Sequence, residues 1–293
     1  MAVAPLSIAR LVVIGTGLIG GSFALALKRA GAVSEVVGIG RHRETLEEAK
    51  SLGVIDVVGD YDLPSFAGAE LVLVATPVGQ MRAVFAAMAP FVPAKAVITD
   101  GGSTKQDVVS LARECFSTSL QRFVPAHPIS GTEKNGPSAA FPELYESRRV
   151  IMTPLPETSV TSVDMVRSAW ETCGANVSEL APDVHDAMLG AVSHLPHLLA
   201  FALVDELASR QNGEQLFSFA GGGFRDFTRI ASSNPEMWRD IFLSNREAVS
   251  RDLSRYRAKL EALQQLLDAG DGAALEAVFR RSQAARKRWL RKD

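Results

Sequence analysis

The 293-residue sequence predicts an α/β protein, with an N-terminal doubly wound, mostly parallel sheet followed by an all-α domain. Three observations carry this expectation. Up to about residue 181, short apolar and β-branched runs alternate with helical patterns. Beyond Pro182 only helical periodicity remains. The third observation is local: Leu11-Val12-Val13-Ile14 reads as a buried strand, Gly15, Gly17 and Gly20 follow at Gly-x-Gly-x-x-Gly spacing, and Phe23-Ala24-Leu25-Ala26-Leu27 opens an apolar helix.

That strand, turn and helix make the geometry a dinucleotide pyrophosphate requires, so the first domain is expected to be of Rossmann type. Gly15 serves the tight turn, Gly17 lets the backbone approach the phosphates, and Gly20 lets helix and strand pack closely. The helix start adds free amides and a positive dipole end. Gly15, Thr16, Gly17, Leu18, Ile19 and Gly20 are the expected cofactor-binding loop, and Thr76 is counted with them. The second strand, over 35–40, ends at Arg41-His42-Arg43, without the acidic residue that commonly grips the adenosine ribose of NAD. A guanidinium at Arg41 suits a 2′-phosphate, which makes NADP the preferred cofactor, with NAD possible. The competing reading takes Arg41 and Arg43 as solvated charges at a helix start.

The remaining elements follow in order. A helix over 44–52, a strand over 70–76, a helix from Pro77 toward Met88 and a strand over 96–99 continue the alternation. A helix ending near Cys115, a strand over 122–126 ending at His127-Pro128, a strand over 150–153, a helix over 162–172 and a strand over 176–180 complete it. The expected domains are therefore 1–181 and 182–293. In the second, 184–210 is apolar on most faces and reads as a buried helix, and Gly221-Gly222-Gly223 breaks the chain. Ser233-Asn234-Pro235 starts a long helix. Leu253, Tyr256, Leu260, Leu263 and Leu267 form a seam for another helix of this chain or of a second subunit, so a homodimer through the helical domain is expected.

A net charge of −2 without blocks of either sign argues against nucleic-acid or acidic-membrane partners. No run of transmembrane length and no signal segment is read from the sequence. The two cysteines, Cys115 and Cys173, lie far apart without metal-type spacing, which suits reduced residues in a cytoplasmic protein.

Polar groups recur where strand ends face the helical domain. Ser103 caps the next helix or meets a ligand. His127, at a strand end, is placed as a general base or as a hydrogen-bonded structural histidine. His194 and His197 stand three apart, but no further ligand spacing accompanies them, so no metal is expected; substrate contact or capping is the better reading. Arg229, in an otherwise apolar stretch, needs an anionic partner, either a protein carboxylate such as Asp226 or a substrate carboxylate.

Taken together, Gly-Thr-Gly-Leu-Ile-Gly-Gly-Ser at 15–22, Asp-Gly-Gly-Ser-Thr-Lys at 100–105, His-Pro-Ile-Ser-Gly-Thr-Glu at 127–133, Ser-His-Leu-Pro-His at 193–197, Phe-Arg-Asp-Phe-Thr-Arg-Ile-Ala at 224–231 and Pro-Glu-Met-Trp-Arg-Asp at 235–240 carry a resemblance. The chain resembles the prephenate/arogenate (cyclohexadienyl) dehydrogenase family of tyrosine biosynthesis. The resemblance implies NAD(P)-dependent oxidative decarboxylation of prephenate, arogenate or both. It implies that His127 accepts the proton of the ring hydroxyl and that Ser103 hydrogen-bonds the same group. His197 and Arg229 would hold the anionic part of the substrate, Thr132 and Glu133 would lie beside it, and His194 is a secondary candidate. Prephenate against arogenate stays open, with Asp186 as a candidate discriminator. Two rival readings are a β-hydroxyacid or 6-phosphogluconate-type dehydrogenase and a non-catalytic NADP sensor. The first needs a catalytic lysine early in the helical domain, and 183–210 contains none. The second would be favoured by loss of His127, Ser103, His197 or Arg229, and all are present.

Overall fold

The structure is a computed structural model and describes residues 6–132 and 134–291. The chain divides into two compact units, Met1–Arg246 and Glu247–Asp293. The first unit opens with β1 (Ile8–Ile14), α1 (Leu18–Arg29), β2 (Val33–Ile39), α2 (Arg43–Ser51), β3 (Val57–Val58) and α3 (Leu63–Phe66). It continues with β4 (Leu71–Val74), α4 (Met81–Met88), β5 (Val97–Asp100), α5 (Gln106–Cys115) and β6 (Phe123–Val124). These six strands form a parallel sheet in the order β3-β2-β1-β4-β5-β6, a Rossmann-type arrangement.

The strands read as unbroken apolar runs because both faces of the sheet are covered. Leu11 and Val13 of β1 pack with Phe23 and Leu27 of α1 and with Trp170 on one side. Val12 and Ile14 face Met81 and Phe85 of α4 and Val108 and Ala112 of α5 on the other. Strand order reverses between β1 and β4, and the cleft beyond their carboxyl ends is where such sheets hold ligands.

A second sheet joins β7 (Ala126–Pro128), β8 (Arg149–Met152) and β9 (Asn176–Glu179), with α6 (Val160–Thr172) between β8 and β9. Here β7 runs antiparallel to β8, pairing His127 with Ile151. The single strand expected over 122–126 is thus two strands in two sheets. Pro125 separates them: it has no N–H for a ladder, while its carbonyl accepts from Thr153 N at 2.8 Å. His127 therefore sits within a strand of the smaller sheet rather than at the end of the larger one.

Helices follow. α7 (Pro182–Leu189) and α8 (Leu195–Ala208) are continuous through a π-helical turn, Gly190–His194. Pro196, in the first turn of α8, cannot donate to the preceding turn, and the wider turn accommodates it. The expected burial of this segment is incomplete: among the residues of α8 only Ala200 is fully enclosed, and Leu195, Leu198, Leu199 and Leu203 remain partly exposed. A further correction concerns its length. The 27-residue run Pro182–Ala208 is long and apolar enough to cross a membrane by length and composition. α9 (Gly213–Ser218), α10 (Gly222–Thr228) and α11 (Pro235–Ser244) complete the unit. The one long helix expected from Pro235 is interrupted at Asn245, which closes α11 and turns its side chain inward to Asp186 O at 2.8 Å.

The second unit consists of α12 (Arg246–Asp268), from Glu247 onward, and α13 (Gly272–Trp289). Gly270, at φ +65, makes the turn between them, and Asp271 caps α13 by accepting from Ala274 N at 2.9 Å. On the α12 seam, Leu260 and Leu267 are exposed.

One buried ion pair locks the end of β5 to β7. Lys105 Nζ donates to Asp100 Oδ2 and to Ala126 O (2.8 Å), while Asp100 accepts from the amides of Ala126 (3.2 Å) and Gly102 (2.7 Å). Both side chains are wholly enclosed. We expect Lys105→Met to lower stability by about 3–5 kcal/mol in urea unfolding, because Asp100 is left buried and uncompensated. A loss under about 1 kcal/mol would show instead that Asp100 is protonated and contributes as an ordinary hydrogen-bond partner.

Candidate active site

The glycine loop lies at the β1–β4 crossover. Gly15 adopts φ +96, and a Cβ there would stand 2.5 Å from Ala75 O. A Cβ on Gly20 would stand 2.1 Å from Gly15 O, so only glycine lets α1 seat on the turn. Gly17, by contrast, has nothing within 4 Å on its Cβ side, which leaves open space for an approaching phosphate. α1 begins at Leu18 without a side-chain cap and without an acidic residue in its first turn. Its first amides, from Leu18 and Ile19 onward, are thus left for an anion. The hydroxyls of Thr16 and Thr76 are buried there without a hydrogen-bond partner among the described residues. The loop fits a dinucleotide pyrophosphate on these grounds. Arg41 stands exposed beyond the end of β2, with no side-chain partner among the described residues, and Arg43 pairs with Glu47 at 3.2 Å.

The loop after β5 brings the cleft to His127. A Cβ on Gly101 would meet Ile19 Cγ2 at 3.2 Å and Pro128 Cδ at 3.8 Å, so this glycine sits between the cofactor loop and the strand that carries His127. Ser103, on the same loop, is half-buried and makes no side-chain hydrogen bond among the described residues. The capping reading of Ser103 is not what the chain adopts. Asp186, from α7, supplies that cap: its Oδ1 accepts from Lys105 N at 2.8 Å and its Oδ2 from Gln106 N at 2.9 Å. The discriminator suggested for Asp186 is likewise replaced by an interior role.

His127 itself is half-buried. Its Nδ1 lies 2.9 Å from Nε2 of His185, whose Nδ1 in turn lies 2.8 Å from Asp186 Oδ1. His185 and Asp186 are almost wholly enclosed. Burial, then the neighbouring His185, Lys105 and His194, hold the His127 pKa well below its ordinary value, so it stands as a neutral imidazole at neutral pH. Burial likewise lowers His185. Burial opposes ionisation of Asp186, but the hydrogen bonds from His185 and the two amides outweigh it and hold the carboxyl below the usual range. Sequence reasoning passed over His185, because an adjacent His-Asp pair near a helix start has no diagnostic spacing. Only the tertiary placement of α7 against α5 brings it to His127.

The other candidates gather on α8 and after α10. His197 Nδ1 is 2.9 Å from Ser193 O, and its ring stacks on Trp238 with centroids 3.6 Å apart. Its pKa is lowered by burial and by the charge of Arg229 nearby. Arg229 is exposed rather than enclosed in an apolar stretch, engaged within the chain, and lines a cavity of about 370 Å³ together with Arg225, Phe217 and Phe224. His194 points inward instead: it is 1 % exposed, with Nδ1 3.0 Å from Asn245 Nδ2. Thr132 is exposed, its hydroxyl accepting from Lys134 N at 3.2 Å. Glu133 lies outside the described residues. Among the described residues no group of three or more His, Cys, Asp or Glu side chains is placed to hold a metal ion.

Comparison with known proteins bears on this arrangement. The family model described as prephenate dehydrogenase, nucleotide-binding domain, matches residues 23–179, and that described as prephenate dehydrogenase, dimerization domain, matches 181–281. The chain is 34 % identical over 276 residues to a cyclohexadienyl dehydrogenase of Zymomonas mobilis, covering 94 % of each. It is 35 % identical to a prephenate dehydrogenase of Bacillus subtilis, covering 91 % of this chain and 72 % of that one. Among solved structures, prephenate dehydrogenase from Aquifex aeolicus in complex with hydroxyphenyl propionate and NAD+ superimposes with a TM-score of 0.90 at 35 % identity, covering 97 % of this chain and 99 % of that one. Arogenate dehydrogenase from Synechocystis gives 0.80 at 27 % identity, covering 96 % and 99 %.

The buried His194 makes a pH prediction. Its pKa falls from 6.5 to about 4, with burial as the largest cause. Between these values the unfolded chain binds a proton that the folded chain refuses, so stability is present above pH 6.5 and is lost as pH falls toward 4. The shift corresponds to about 3 kcal/mol at most. Urea unfolding across this window should show a shallower loss for His194→Gln than for the parent chain. Identical slopes would contradict the placement of this residue.

Proposed function

Because this chain belongs to the prephenate dehydrogenase family, we propose that it catalyses the oxidative decarboxylation of prephenate, arogenate or both, giving 4-hydroxyphenylpyruvate or tyrosine. The observation that carries this reading is His127, a neutral imidazole with one nitrogen engaged inside and the other available, one loop away from the glycine turn. A bound nicotinamide supplies the hydride acceptor. His127 takes the proton of the ring hydroxyl, the carboxylate leaves as carbon dioxide, and the ring becomes aromatic, a driving force that lets a modest base suffice. Ser103 donates a hydrogen bond to the same hydroxyl. Arg229 pairs with the anionic part of the substrate, and His197 joins it as a carboxylate docks and draws a proton onto the ring. Thr132 and Glu133 flank the substrate. His194 supports the site from behind through Asn245.

The rival dehydrogenase reading lacks its lysine in 183–210, and a cofactor sensor has no use for His127, His197 and Arg229, all of which are present. We further propose NADP as the preferred nicotinamide cofactor, through Arg41. The functional division is proposed at 181/182, with 1–181 holding the dinucleotide and 182–293 the helices. A cytoplasmic homodimer is proposed in the same way: the partly exposed leucines of α8 and the open α12 seam call for a second copy as cover. His185, Asp186 and His194 within 182–208 are enclosed by protein, which supports a protein-facing rather than lipid-facing role for that run.

The test pairs prephenate and arogenate with NADP and NAD and follows absorbance of the reduced cofactor. Turnover with at least one pair is expected, and its absence with all four would overturn the reading. His127→Asn should lower kcat by about 10²–10⁴-fold while NADP still binds. Near-normal turnover in a stable variant would remove His127 from the chemistry. Arg41→Asp should weaken NADP binding by about 1.5–3 kcal/mol and shift preference toward NAD. A parent enzyme that prefers NAD would contradict the role of Arg41.

A further inference from the structure

The fully enclosed pair behind His127 has a use that the reaction alone does not assign. A carboxylate only accepts, so the 2.8 Å contact between His185 Nδ1 and Asp186 Oδ1 places the proton of His185 on Nδ1. A neutral His185 then has a lone pair on Nε2, and the 2.9 Å contact with His127 is satisfied only when Nδ1 of His127 donates. The Nε2 of His127 is left unprotonated. Asp186 cannot reverse this sequence, because both of its oxygens already receive backbone amides from the start of α5, at 2.8 and 2.9 Å, and so remain acceptors.

We propose that His185 and Asp186 are positioning residues that hold His127 in the Nδ1–H tautomer, with its Nε2 lone pair presented to the substrate. This rests on His127 being the base of the reaction proposed above. The proton taken from the substrate hydroxyl arrives at Nε2, the Nδ1–H bond to His185 persists, and the new positive charge on His127 is countered through His185 by the Asp186 carboxylate. No atom other than that proton moves in the step. The arrangement follows the logic of the serine-hydrolase triad, with a histidine interposed between base and carboxylate.

The tautomer can be read directly and without substrate. In 15N-labelled enzyme, long-range proton–nitrogen correlation of the histidine rings should give His127 a protonated Nδ1 and an unprotonated Nε2. A protonated Nε2 would overturn the proposal, and a chain inactive on both prephenate and arogenate with either cofactor would overturn the functional reading while leaving this result standing. Kinetics supply the second arm. His185→Leu removes the acceptor and should lower kcat by about 10²–10⁴-fold, with KM and NADP affinity little changed. His185→Gln, whose amide can accept from His127 and donate to Asp186, should recover a large part of that loss. A His185→Leu enzyme with unchanged kcat, or losses in both variants that only track the folded fraction, would show a merely structural role.

Discussion

Asp186 is 1 % exposed and receives four hydrogen bonds: from the amides of Lys105 and Gln106, from the Gln106 side chain at 3.3 Å, and from His185. Its carbonyl takes a fifth, from Asn245. A buried carboxylate is tolerated only when its lone pairs are filled this completely. The consequence is geometric. One residue from the first helix after the sheets caps α5 and fixes the ring that backs His127 with its carboxylate, and anchors the end of α11 with its carbonyl. The cap at a helix N-terminus offsets the cost of burial here, since the positive end of α5 favours the charge that His185 needs beside it.

The site is consequently assembled from both parts of the fold. The sheet contributes the glycine turn and the loop of Ser103, the smaller sheet contributes His127, and the helices contribute the group that orients it. The Asp100–Lys105 pair adds a second anchor, bridging β5 to Ala126 immediately before His127. With His127 gripped from the backbone at Ala126 and from the ring at His185, little freedom is left to its imidazole. Stacking on Trp238 likewise restrains the ring of His197.

Much of this was legible in the sequence. The apolar run of β1 and the spacing of Gly15, Gly17 and Gly20 announce the dinucleotide turn because both depend on local sterics. The shift from strand to helix near Pro182 marks the change of architecture for the same reason. What the sequence left hidden is long-range. Pro125 sends His127 into a second sheet, a consequence of pairing partners some 25 residues away in β8. Asn245 breaks a helix whose apolar periodicity continues past it, because its side chain is claimed by Asp186. The apolar faces of α8 read as interior, yet a single chain does not cover them. The role of His185 is the clearest case: its meaning comes from a contact with a residue 58 positions away.

The central claim is that a neutral His127, backed by buried groups, faces the reacting hydroxyl across the nicotinamide cleft. A crystal structure of this chain with NADP and 4-hydroxyphenylpyruvate tests it most directly. The account predicts the product's ring oxygen about 2.6–3.2 Å from His127 Nε2, with Nδ1 still bonded to His185. A product ring oxygen held elsewhere, beyond about 4 Å from His127, or a His127 ring turned away from His185, would contradict it.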